Sequence, residues 1–181
     1  MSEVDLEVLL TRIGAREVGE RRAAVEAIGR LGAAAAPAIP RLIALLDDRS
    51  VEGPWPSSVG PTGHDPRVDF VVATAAAEAL GAIGAPAVEP VLAALRGSGG
   101  HPRRYHAALA AGLLRIDAAV PILEAMVRAS EWLSWRVNFD QSIEYPVHEA
   151  AAIALAQIGP SRSPAEAHAS TTKDPGPRGG A

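Results

Sequence analysis

Ala75-Ala76-Ala77-Glu78-Ala79-Leu80-Gly81-Ala82-Ile83-Gly84 is the stretch that decides the fold, because it recurs three times without gaps. The other copies are Ala23-Ala24-Val25-Glu26-Ala27-Ile28-Gly29-Arg30-Leu31-Gly32, Ala108-Leu109-Ala110-Ala111-Gly112-Leu113-Leu114-Arg115-Ile116-Asp117 and Ala150-Ala151-Ala152-Ile153-Ala154-Leu155-Ala156-Gln157-Ile158-Gly159. Each holds one apolar stripe at i, i+3, i+4 and i+7: Ala24, Ala27, Ile28 and Leu31 in the first copy, Ala151, Ala154, Leu155 and Ile158 in the last. That spacing is one face of a helix. Its small residues let neighbouring backbones approach, and the later Ile or Leu fills the space between them. Gly32, Gly84 and Gly159 follow the stripe where a helix stop calls for positive φ, and Asp117 stands in for glycine in the third copy.

A second helix is expected after each of the first three. Ala38-Ile39-Pro40-Arg41-Leu42 aligns with Ala87-Val88-Glu89-Pro90-Val91 and with Ala119-Val120-Pro121-Ile122-Leu123. Proline in a first turn removes no hydrogen bond the helix would have made, so it marks a start. Upstream, Leu6, Val8, Leu9 and Leu10 read as the second helix of an incomplete opening repeat. The fourth copy lacks a convincing second helix, since Ala165-Glu166-Ala167-His168 is too polar to bury much. The expected fold is all-α: a right-handed α-solenoid of about four stacked helical hairpins, with two long inter-repeat inserts. It occupies residues 1–159, and residues 160–181, rich in Pro, Gly and Ser/Thr, read as a disordered tail.

Composition agrees. Hydrophobic residues are 48% of the 181, yet 37 residues are alanine and seven are aromatic, which suits close-packed helices and not a sandwich or barrel. A net charge of −4 argues against a general nucleic-acid binder. The absence of cysteine excludes disulfides, thiolate metal sites and a cysteine nucleophile. The acidic start Ser2-Glu3-Val4-Asp5 lacks the order of a signal peptide, and 70–88 is too weakly apolar for a membrane span; a cytoplasmic protein without membrane contact is expected.

The run Ala79-Leu80-Gly81-Ala82-Ile83-Gly84, followed by Ala87-Val88-Glu89-Pro90-Val91-Leu92, resembles the short HEAT-like repeat of the phycobilisome-lyase type, and Asp65-Pro66-Arg67-Val68 resembles that family's linker. The resemblance spans roughly residues 5–159. It implies stacked helical hairpins, and a role among scaffolds, chromophore-lyase subunits or one class of di-iron hydroxylase. It also implies that the second helices line a concave side, where Arg41, Glu89 and Glu124 offer mixed charge suited to a protein partner.

The matched positions Leu31, Ile83, Ile116 and Ile158 lie 52, 33 and 42 residues apart. The first and last intervals exceed the middle one, and both excesses fall between a second helix and the next first helix, hence on one edge. Insert one, about 48–65, is rich in Pro and Gly and reads as a loop; insert two, about 130–146, is expected to hold at most a short turn of helix. Trp55, Trp132, Trp135, Phe139 and Tyr145 all lie in these inserts. Such residues dominate binding hot spots and equally well form a satellite core. The candidate partner-binding residues are thus Trp55, Trp132, Trp135, Phe139, Arg41, Glu89 and Glu124.

Candidate chemistry is sparse. His148-Glu149 opens the fourth first-helix and resembles the iron-ligand motif of deoxyhypusine hydroxylase. The equivalent pairs here are His106-Ala107, Ala73-Thr74 and Arg21-Arg22, which leave a metal undersupplied. Glu149 reads instead as a carboxylate placed against a helix dipole. Gly97-Ser98-Gly99-Gly100 lacks the P-loop lysine. Arg21-Arg22 and Arg103-Arg104 read as solvated charges near helix starts. No catalytic residue, cofactor or metal is expected. The expectation is a non-enzymatic scaffold or adaptor that binds another protein and no nucleic acid, with a chromophore-lyase subunit resembling the bilin-lyase family as the alternative.

Overall fold

A computed structural model describes residues 3–51, 70–130, 132–136 and 142–159. Among them the helices are α1 (Glu3–Arg12), α2 (Val18–Arg30), α3 (Ile39–Leu45), α4 (Val71–Ile83), α5 (Val88–Arg96), α6 (His101–Leu113), α7 (Val120–Ala129) and α8 (Val147–Ile158). Short 3-10 segments, Gly32–Ala38, Ala85–Ala87 and Asp117–Ala119, lead into α3, α5 and α7. Pro40 and Pro121 stand in the first turns of α3 and α7, as their missing N–H groups allow. The exception to helix is an antiparallel ribbon, β1 (Trp132–Arg136) with β2 (Ser142–Pro146). At most a short turn of helix is expected there from the sequence, and the structure has paired strands. Trp132, Leu133, Trp135, Ile143 and Tyr145, β-branched or large and closely spaced, favour a strand instead.

The packing regroups the repeats. α1 lies against α2, α3 against α4, α5 against α6 and α7 against α8. Each second helix of a sequence hairpin therefore packs on the first helix that follows it. The pairs join because α2, α4, α6 and α8 stack in that order, with α3 also touching α5. The helix α8 packs on α7, and α1 on α2. The second helix expected to be missing after α8, and the tail 160–181, lie outside the described residues.

Glycines make the stacking close. A methyl group at Gly29 would stand 3.2 Å from the Ala79 Cα, and one at Gly112 would stand 2.8 Å from the Ala154 Cα. Backbone therefore meets backbone at α2–α4 and α6–α8. The core beside these contacts holds Ile28, Leu42, Leu80, Leu92, Leu123 and Met126, all fully enclosed. In the expected stripes Ala24, Ile28, Ala151 and Ala154 are buried, whereas Ala27, Leu31, Leu155 and Ile158 are half-buried. Val25 is fully buried, so the inward face of α2 centres slightly to one side of the predicted line.

Three helix stops follow expectation: φ is +56° at Gly32, +81° at Gly84 and +82° at Gly159. The third differs. Asp117 opens a 3-10 segment, and the left-handed residue is Arg115, at φ +51°. The Arg115 N–H donates to the Gly112 carbonyl at 3.0 Å and the Ile116 N–H to the Ala111 carbonyl at 3.1 Å. Those two bonds form a Schellman motif, with Ile116 turned back into the core. The helix ends two residues earlier than its alignment implied.

Candidate functional site

The connections from α3 to α4 and from α7 to α8 carry the inserts, and the side chains around the first of them form an ordered cluster. Arg21, in the first turn of α2, donates from Nη1 to the carbonyls of Ala15 (2.8 Å) and Arg16 (2.9 Å). Its Nε donates to Asp48 Oδ2 at 3.2 Å and its Nη2 to the Ser50 hydroxyl. The Asp48 carboxylate in turn accepts the Ser50 N–H at 2.8 Å, an Asx turn that fixes the chain as it leaves α3. Both side chains of the Arg21–Asp48 pair are only 13% exposed. Such a half-dry pair resists loss of one partner far more than a surface pair does. From the other side, Arg103 at the start of α6 pairs with Asp47 at 2.7 Å. Thus the segment after α3 is tied to α2 on one side and to α6 on the other.

Below this segment lies His106, the single polar residue among the fully buried side chains of the described residues. Its Nδ1 is 2.9 Å from the Pro102 carbonyl, one turn back on α6, so Nδ1 carries the proton of the neutral ring. The ring meets Phe70 edge-on at 6.3 Å and Tyr105 at 5.0 Å. Burial pushes its pKa from 6.5 down to about 4; the Pro102 and Leu46 carbonyls and the Asp47 charge act weakly in the opposite direction. Nε2 is enclosed and makes no hydrogen bond of ordinary geometry.

Sequence reasoning missed this cluster. It read Arg21 and Arg103 as solvated charges, whereas both are anchors for the segment after α3. The available signal was register: Arg21, Ala73, His106 and His148 hold equivalent positions in the four aligned copies, and the position is alanine where nothing polar is needed.

The candidates read from the sequence fall in several places. Trp55 and Phe139, with most of insert one and the linker-like Asp65–Val68, lie outside the described residues. Trp132 and Trp135 are in β1, opposite Pro146 and Ile143, and Tyr145 in β2 is opposite Leu133. β1 packs against α6 and α8. Arg41 is exposed on α3 but donates to the Leu10 carbonyl, tying α3 to α1. Glu124 is exposed on α7 and pairs with Arg128 one turn on, at 3.6 Å. Glu89 is exposed in the first turn of α5. These three charges sit on three different helices, α3, α5 and α7. Glu149 is exposed in the first turn of α8, with His148 half-buried beside it. Among the described residues no three His, Asp or Glu side chains are grouped to hold a metal ion, and no helix is long and apolar enough to cross a membrane.

Residues 20–48 and 72–97 each match the PBS lyase HEAT-like repeat family. Two segments of the chain are thus similar to this HEAT-like repeat. The matched spans run from α2 to the end of α3 and from α4 to the end of α5, so each covers a first helix, its 3-10 turn and the second helix. The same order of helix, 3-10 turn and helix continues through α6, α7 and α8, outside the matched residues. The third copy departs from the pattern at its helix stop, where Arg115 and Asp117 replace the usual glycine. No curated protein matches the chain.

Proposed function

We propose that this chain is a HEAT-like right-handed α-solenoid of about four repeats and serves as a non-enzymatic, cytoplasmic scaffold that binds another protein through the edge bearing its inserts. One observation carries the reading: the segment leading into insert one is held by Arg21 from α2 and by Arg103 from α6, while β1 rests on α6 and α8. Long connections on anchored roots present recognition groups at low ordering cost. Trp55, Trp132, Trp135 and Phe139 are the residues proposed to meet the partner, with the exposed Arg41, Glu89 and Glu124 as subsidiary contacts.

The test is a binding titration against a partner recovered by affinity capture. Trp132→Ala is expected to weaken binding by at least about 2 kcal/mol while leaving the melting midpoint nearly unchanged. Full affinity in a folded Trp55→Ala/Trp132→Ala/Trp135→Ala variant removes the inserts from the site. A second reading, a subunit of a chromophore lyase, draws on the name of the matching repeat family. A spectral change of a linear tetrapyrrole on adding the purified chain would favour it over the scaffold.

A further inference from the structure

His106 sits where the α3/α4 and α5/α6 pairs meet. Its ring is on α6, the enclosing Phe70 is the residue before α4, and Leu46 and Asp47 close over it from the end of α3. With Nδ1–H committed to Pro102, the bare Nε2 is an acceptor that no donor meets. A proton there creates a buried cation and a second N–H that needs an acceptor. The acceptors at hand are the Leu46 carbonyl and the Asp47 carboxylate, and the carboxylate is held by Arg103.

Charged and titratable groups come from several elements around the ring. From α3 and its exit there is Asp47, with Asp48 already bound to Arg21. α4 contributes one charged residue, the exposed Glu78. α6 itself contributes His101, Arg103, Arg104 and Tyr105; α5, packed on α6, carries Glu89 and Arg96; Arg49, after α3, lies beside Gly100; and α8, stacked on α6, contributes His148 and Glu149 from its first turn. Asp47 is the one whose charge acts on the ring.

We propose that His106 makes the joint between these two helix pairs acid-sensitive: proton uptake at Nε2 draws Asp47 from Arg103 and opens the segment Leu46–Val51 at the root of insert one. The inference does not depend on the partner proposed above, since the joint is internal. Its effect is to couple the anchoring of that root to pH. The open state exposes an imidazole of ordinary basicity, whereas the closed state holds it neutral. Acid therefore favours opening.

Amide hydrogen exchange on the intact chain, corrected for intrinsic rates, tests this at pH 7.5 and pH 5. Protection across residues 46–51 is expected to fall about tenfold or more at the lower pH while staying well below that of Ile28 in α2 and Ala154 in α8, which exchange through global unfolding. His106→Gln is expected to flatten that dependence, and Asp47→Asn to leave the segment open at both values. Unchanged protection, protection across 46–51 no lower than at Ile28 and Ala154, or a fall that persists in His106→Gln would each overturn the proposal. Should His106→Gln fail to fold, the ring Cε1–H signal of the unaltered chain decides. Titration well below the ordinary histidine range, together with a shift of the Arg103 Nε–H signal, supports the joint; titration near 6.5 refutes it.

Discussion

Two single residues carry measurable strain or cost. Arg115 holds a left-handed conformation that disfavours any residue with a Cβ, yet its exposed side chain does nothing that glycine would lose from the core. Arg115→Gly should therefore raise stability by about 1 kcal/mol, read as a higher denaturant midpoint at unchanged slope. His106 acts in the opposite sense. Its folded pKa is depressed from 6.5 to about 4, so between those values the unfolded chain binds the extra proton. Stability contributed by the neutral ring is full above about pH 6.5 and is lost as the pH falls towards 4, amounting to about 3 kcal/mol. Denaturant melts from pH 7.5 to 4 should show this slope, and His106→Leu should remove most of it. Neither residue announces itself in the sequence. Left-handed backbone at an arginine follows from where the Schellman turn falls, and the burial of one histidine follows from what the preceding pair lays over it.

At the scale of elements, the alignment of the four copies foretold four helices, three of their stops and the prolines that open α3 and α7, because all of these rest on local periodicity. The core they build is graded. Leu80 is fully enclosed between neighbours on both sides, while Leu155 at the end of the stack is half-buried. Leu80→Ala should cost about 2–5 kcal/mol and Leu155→Ala distinctly less, and equal losses in paired melts would contradict the geometry. The contact between α6 and α8 allows a sharper test. Gly112→Ala gains roughly 1 kcal/mol of helix propensity but forces a methyl against the Ala154 backbone, so a net loss of about 1–2 kcal/mol is expected. A more stable Gly112→Ala variant would mean that the two helices can slide apart without penalty. What periodicity did not foretell was the ribbon of insert two, where strand preference competes with a helical setting over only a few residues.

For the molecule as a whole, the question is which two helices form a unit. Sequence comparison groups α2 with α3 and α4 with α5, since those are the segments that repeat. Packing groups α3 with α4 and α5 with α6. The two groupings make opposite predictions for shortened chains. A chain ending at Asp117 keeps α5 and α6 together and should unfold in one cooperative transition. A chain ending at Gly97 leaves α5 without α6, and protection at Leu92 and Leu95 should drop by about tenfold or more in hydrogen exchange. Persistence of that protection would favour the hairpin as the stable unit. The anchored site was illegible for the same reason: Arg21–Asp48 and Arg103–Asp47 join residues that only the packing brings together.

Both inserts lie in connections inside a packed pair, from α3 to α4 and from α7 to α8, while the short 3-10 turns join one pair to the next. The turns and the glycine contacts thus join successive pairs, with β1 of insert two lying across α6 and α8. The long connections and the turns that join the pairs are therefore separate stretches of chain, and a substitution in Gly32–Ala38, Ala85–Ala87 or Asp117–Ala119 bears on how one pair meets the next.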